Sequence, residues 1–168
     1  MSANRLSLSR KQLKMMKNKG KIFEKMVNFF KEDDWEFIEL EGEPILQMDF
    51  PGKNGQLNCY AKAREAQQQF VFYSTSPIKA PENKRLEIAE FLTRANYGMI
   101  VGNFELDFAN GEIRYKISAE VEDDNLSSAL IGSLVYANVM MMDEYLPGIM
   151  SVINSNVSPA DAIAQIER

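Results

Sequence analysis

Apolar and polar positions acquire a helical period at Lys21, where Ile22, Phe23, Met26, Val27, Phe29 and Phe30 recur while Lys21, Lys25 and Lys31 stay on the wet side. Asp33-Asp34 ends this first helix, and the period then changes to two. Trp35 to Leu40 reads as a strand, Glu41-Gly42-Glu43-Pro44 as its turn and Ile45 to Phe50 as the returning strand. Pro51-Gly52-Lys53-Asn54-Gly55 closes it, and Gln56 to Ala63 and Gln69 to Thr75 supply two more. Four strands this close leave no room for parallel crossovers, so an antiparallel meander is expected.

Past Pro77 and Pro81, Leu86, Ala89, Phe91, Leu92 and Ala95 predict a second amphipathic helix, with Pro81 in its first turn and Gly98 as a left-handed C-cap. Phe104, Leu106 and Phe108 then alternate with polar residues and, across an Asn110-Gly111 turn, Ile113, Tyr115, Ile117, Ala119 and Val121 do the same. A long third helix follows Glu122-Asp123-Asp124-Asn125, which offers negative charge and a capping Asp or Asn. It runs through Met142 and past Pro147, whose missing N–H would free the carbonyl of Asp143 and bend the axis. Ser158, Pro159 and Asp161 open a last short helix containing Ala162, Ile163 and Ile166. The order helix, four strands, helix, two strands, long helix, short helix predicts an α+β fold around a curved antiparallel sheet of five to six strands.

The string Asn96-Tyr97-Gly98-Met99-Ile100-Val101-Gly102-Asn103-Phe104-Glu105, the strand Gly111 to Lys116 and the segment from Asp143-Glu144-Tyr145-Leu146-Pro147 to Ile153 resemble the bacterial YbjN family. The resemblance covers about residues 21 to 154, with the tail from Ser158 to Ile166 similar to an extension of some members. It implies a type III secretion chaperone-like fold, association as dimers and a regulatory role without established enzymatic activity. Its motifs concern packing and turns, so no catalytic residue is carried over. The basic N-terminal segment is not part of that pattern.

At 168 residues, with 45% hydrophobic and 26% charged side chains, the chain suits one domain with a substantial core. The reading is a basic extension over 1–20 and a single domain over 21–168, in which 154–168 form the helical C-terminal extension. Cys59 is the sole cysteine and histidine is absent, which removes intrachain disulfides, Cys/His zinc sites and histidine-based catalysis. A reducing compartment, the cytoplasm, is expected. The start lacks an apolar secretory core and cleavage site, although its basic, Ser-containing, acid-free character faintly resembles a transit peptide.

The net charge of -5 hides an asymmetry. Residues 1–23 carry seven basic side chains and no acid, leaving twelve basic against 24 acidic residues for the body, which should repel nucleic acid. Asn125 to Met142 lacks charge at nearly membrane-spanning length, yet acidic flanks and internal Ser, Gly and Asn favour a buried or interfacial helix.

Candidate chemistry is sparse. Glu105, Asp107, Glu112, Glu120, Glu122, Asp123 and Asp124 could in principle gather Mg²⁺ or Ca²⁺, but the 107–112 string lacks an EF-hand's third-position ligand and terminal Glu. Glu41 and Glu43 flank a turn glycine with nothing to separate their pKa values as an acid/base pair requires. Phosphate-cradling glycine motifs are missing. No catalytic, cofactor or metal residue is assigned. In the basic extension, Leu6, Leu8, Leu13, Met15 and Met16 among the bases suit a solvated tail, an arm for nucleic acid or anionic lipid, or a helix packed on a partner.

The third helix offers the most informative surface. Leu130, Leu134, Met141, Tyr145 and Ile149 form one stripe, and Ile131, Val135, Val139, Met142 and Leu146 another beside it. This arc is wider than a sheet-facing helix needs, so other helices enclose it or part of it meets a second subunit or client. Its methionines suit an adaptable contact, and Leu134, Met141, Tyr145 and Ile149 are the candidate partner or dimer surface. The expectation is a non-enzymatic, chaperone-like or regulatory protein-binding module, working as a homodimer without strong nucleic-acid binding. A nucleic-acid or membrane regulator acting through the arm and a carboxylate-based metal enzyme are the alternatives.

Overall fold

The computed structural model describes Arg10 and residues 19–122 and 125–168. Apart from Arg10, Lys19 and Gly20, the expected basic extension lies outside the described residues, as do Asp123 and Asp124. Helix α1 (Lys21–Glu32) leads into strands β1 (Phe37–Glu39), β2 (Ile45–Pro51), β3 (Gln56–Arg64) and β4 (Gln69–Thr75). Helix α2 (Arg85–Asn96), strands β5 (Asn103–Leu106) and β6 (Ile113–Glu120), and helices α3 (Ser128–Asn154) and α4 (Pro159–Ile166) complete the order that the periodicity predicts.

All six strands form one antiparallel sheet in the order β1-β2-β3-β4-β6-β5. The first four are the expected meander. Helix α2 then carries the chain past β4, so that the β5–β6 hairpin returns with β6 beside it. Because side chains alternate across a strand, Leu46, Met48, Leu57, Cys59, Ala61, Phe70, Phe72, Tyr115 and Ile117 enter the core together. Helices α1 and α3 pack on that face, and α2 and α4 pack against α3.

Phe30 joins helix to sheet, stacking on Phe72 at 6.2 Å and meeting Trp35 edge-on at 5.5 Å. Aromatic pairs of this kind contribute about 0.5–1.5 kcal/mol beyond their burial. Asn138 and Ser74 bring polar groups into the centre. Asn138 of α3 is fully buried, donates to the carbonyls of Phe72 (3.2 Å) and Tyr115 (2.9 Å), and accepts from the buried Ser74 hydroxyl. Burial without such partners would cost about 1–3 kcal/mol, so these bonds fix the register of α3 on β4 and β6.

Four local expectations are corrected. Gly98 is not left-handed, and α2 ends on Tyr97 in a right-handed conformation; the left-handed glycine nearby is Gly102. Pro81 precedes a short 3₁₀ turn, Glu82–Lys84, instead of occupying the first turn of α2. Ser127, whose side chain accepts from the Leu130 N–H at 3.0 Å, caps α3 in place of the upstream Asp or Asn. The β5–β6 connection is longer than a two-residue Asn-Gly turn, with the Gly111 N–H bonding the Asp107 carbonyl at 2.7 Å. Phe108 thereby leaves the alternation and is 52% exposed. Gly111 is obligatory for two reasons: its φ is 78°, and a Cβ would stand 2.0 Å from the Ala80 carbonyl oxygen.

Candidate functional site

The end of α2 does two things. It closes the β5 edge of the sheet, because the Asn96 amide accepts from the Phe104 N–H (2.7 Å) and donates to the Phe104 carbonyl (3.2 Å). A side chain thus stands where a further strand would bond, one way natural sheets protect an edge. It also launches the loop over 97–102, on which Tyr97 and Ile100 are 95% and 94% exposed and Val101 is 48% exposed. The base of the loop is tied down by the Tyr115 hydroxyl, which donates to the Val101 carbonyl at 2.6 Å.

Beneath this loop lies a groove of about 470 Å³, lined chiefly by Met99, Ile100, Val101, Met141, Tyr145 and Glu167. Most of its wall is apolar. Its polar group is held in place: the Tyr145 hydroxyl donates to Glu167 Oε1 at 2.8 Å. Burial first, and then the Glu167 carboxylate, push the Tyr145 pKa up, so the phenol remains a neutral donor.

The candidate residues of α3 are distributed unevenly. Met141 is half-buried in the groove wall, whereas Leu134, Tyr145 and Ile149 are buried within the chain's own packing. Tyr145 sits edge-on to Phe91 and Phe104, and Gly148 admits the Phe91 ring and the Ile166 side chain so closely that a Cβ there would fall 2.6 and 2.5 Å from them. Helices α2 and α4 therefore enclose most of the wide apolar arc. What α3 leaves outside is Leu130, at the head of the first stripe, and, away from both stripes, Tyr136, Met140 and Met150, all between 36% and 64% exposed. Tyr97, Ile100 and Val101 were not singled out from the sequence, although the run Met99-Ile100-Val101 between two glycines belongs to no helical or strand period.

Two of the carboxylates considered for a metal have other occupations. Glu105 bridges Arg114 Nε, at 2.6 Å, and Lys116 Nζ; Asp107 Oδ1 accepts from the Ala109 N–H. Among the described residues no three metal-ligating side chains cluster, and no helix is long and apolar enough to cross a membrane. Cys59 is fully buried, and burial together with the Asp49 charge pushes its pKa up to about 12, far from a reactive thiolate.

The family model described as "YbjN: Putative bacterial sensory transduction regulator" matches residues 24–150. The chain belongs to the YbjN family. Its fold is also similar to the crystal structure of YbjN from E. coli, with a TM-score of 0.55 and 10% identity over 72% of this chain and 85% of that one. The structure of the HopA1-SchA chaperone-effector complex has a TM-score of 0.48 and 14% identity over 76% of this chain and 93% of that one. Comparison with curated proteins gives no match. The YbjN match ends before α4, so the helix carrying Ile166 against Gly148, and Glu167 just beyond it, lie outside the matched span.

Proposed function

We propose that this chain is a non-enzymatic protein-binding module, regulatory or chaperone-like, that holds an apolar segment of a protein partner in the groove under the 97–102 loop. The observation that carries the reading is the exposure of Tyr97 and Ile100 at the rim of an apolar groove. Covering one such side chain gains about 1.5–3 kcal/mol, and aromatic anchors beside a pocket are the usual centres of a protein interface. Flexible Met99 and Met141 in the walls let the groove adapt to its occupant. The family's description as a sensory transduction regulator favours a partner over a substrate.

The working assembly is a homodimer built on the exposed side of α3, where Met140 is 64% exposed. Sedimentation equilibrium should give a dimer at micromolar concentration that Met140→Lys dissociates. For the groove, peptides selected from a displayed library on the native protein should carry apolar anchors. A Tyr97→Ser, Ile100→Ser variant should lose their binding at least about tenfold, while its stability stays within about 0.5 kcal/mol because both positions are exposed. Peptides that bind both forms equally would remove the groove from the reading.

A further inference from the structure

The two edges of the sheet are treated differently. Asn96 and α2 close the β5 edge, whereas β1 at the other edge leaves Ile38 61% exposed. Along β1 and in the segments flanking it, positions 32–43 hold Glu32, Asp33, Asp34, Glu36, Glu39, Glu41 and Glu43, all exposed and with no basic residue among them, although Asp33 already accepts from Trp35 Nε1 and the Tyr136 hydroxyl. Among the described residues one of the seven has an ion pair: Glu39, with Lys19 at 3.5 Å. The Lys19 ammonium also reaches the Leu40 carbonyl at 3.5 Å and lies 4.7 Å from the Phe23 ring centre, leaving its side chain 16% exposed. The chain thus enters the domain at its most acidic edge, with its nearest base already seated there.

Ahead of Lys19 stand Arg5, Arg10, Lys11, Lys14 and Lys17 with no acid, interspersed with Leu6, Leu8, Leu13, Met15 and Met16. We propose that this basic segment, residues 1–18, docks on the acidic β1 edge of its own chain, its cations facing the 32–43 carboxylates and its apolar side chains covering Ile38. Tether and charge agree. Eighteen residues reach about 27 Å as a helix and up to about 60 Å extended, whereas three-residue β1 spans about 10 Å. The like charges of the edge repel one another, and the nearest concentration of opposite charge is the segment joined to it. Docking also withdraws the bases from nucleic acid or anionic lipid, so the arm covers the chain's own surface in preference to anchoring it elsewhere.

Trypsin reads this contact on the full chain, since it cuts after the arm's own bases. Nicking between Arg5 and Lys17, followed by mass spectrometry and scaled to a free peptide of residues 1–22, should be roughly tenfold slower at low salt than in a Glu36→Gln, Glu39→Gln, Glu41→Gln, Glu43→Gln variant. In the unaltered protein the protection should vanish near 1 M salt, where the screening length falls to about 3 Å; this arm needs no variant to fold. Nicking as fast as the free peptide at low salt, or protection indifferent to salt, would overturn the proposal. So would protection that rises with protein concentration, which would put the arm on a second copy, or protection that appears only with added nucleic acid or anionic vesicles.

Discussion

The Asn54 side-chain amide donates at 2.9 Å to the backbone carbonyl of Asp143, the acceptor that Pro147, four residues further along α3, leaves without a helical partner. The Asp143 carboxylate answers by accepting from the N–H groups of Lys53 (3.0 Å) and Asn54 (2.8 Å). The β2–β3 turn and the middle of α3 thus supply each other's missing bonds. A proline inside a 27-residue helix is tolerated here because a turn 89 residues away in sequence satisfies the group it frees.

Coupling between those positions follows. Asn54→Ala should cost about 1–2 kcal/mol in the unaltered chain, and distinctly less once Pro147→Ala restores the helical donor to Asp143. Urea unfolding of the four-member cycle measures this. Additive losses would mean that Asn54 acts on something other than the freed carbonyl.

Asn138→Ala should destabilise by about 1–3 kcal/mol, because it strips the buried Ser74 hydroxyl of its acceptor as well as removing two bonds to the sheet. Adding Ser74→Ala should recover part of that loss, since the orphaned hydroxyl then disappears. Equilibrium unfolding of the single and double variants decides it.

For Glu105, burial pushes the carboxyl pKa up, but the hydrogen bonds and charges of Lys116 and Arg114 prevail and hold it below the ordinary value. The folded pKa is the lower one, so its stabilisation is fully present above the usual carboxylate value of about 4.3 and is lost as pH falls through the folded value. Glu105→Gln should therefore flatten the acid-side fall in urea midpoint below about pH 4.3. An unchanged slope would show that the triad contributes nothing in solution.

The buried Cys59 thiol should resist alkylating reagents at pH 8 in the native protein and react only through global opening, at a rate that rises with urea as unfolding does. Fast labelling without denaturant would contradict its placement between Leu57 and Ala61 on the core face of β3.

The parts of this fold that are legible in sequence are those in which a period repeats. Ile22 to Phe30 give α1, and Ile113 to Ala119 give β6, because core-facing side chains must recur at the spacing of their element. Local identity misleads where tertiary contacts decide. Gly98 offers a C-cap that the chain does not use, and Phe108 continues an alternation that the longer turn breaks. The breadth of α3's apolar arc is visible in sequence, but which neighbour covers each stripe depends on α2 and α4 meeting at Gly148. The groove is hidden for a related reason. Nothing local to Tyr97 or Ile100 says that Asn96 will turn back to Phe104 and leave their loop standing off the sheet.

The central claim is that a protein partner occupies the groove under the 97–102 loop, and site-specific photocrosslinking in the native cell tests it most directly. A photoreactive residue replacing Ile100 should give a discrete adduct with a protein partner, mapped to an apolar stretch of that partner and lost on adding Met141→Lys. The same residue replacing Ser118, exposed on β6 away from the groove, should not give that adduct. No adduct at position 100, or the same adduct from both positions, would contradict the account.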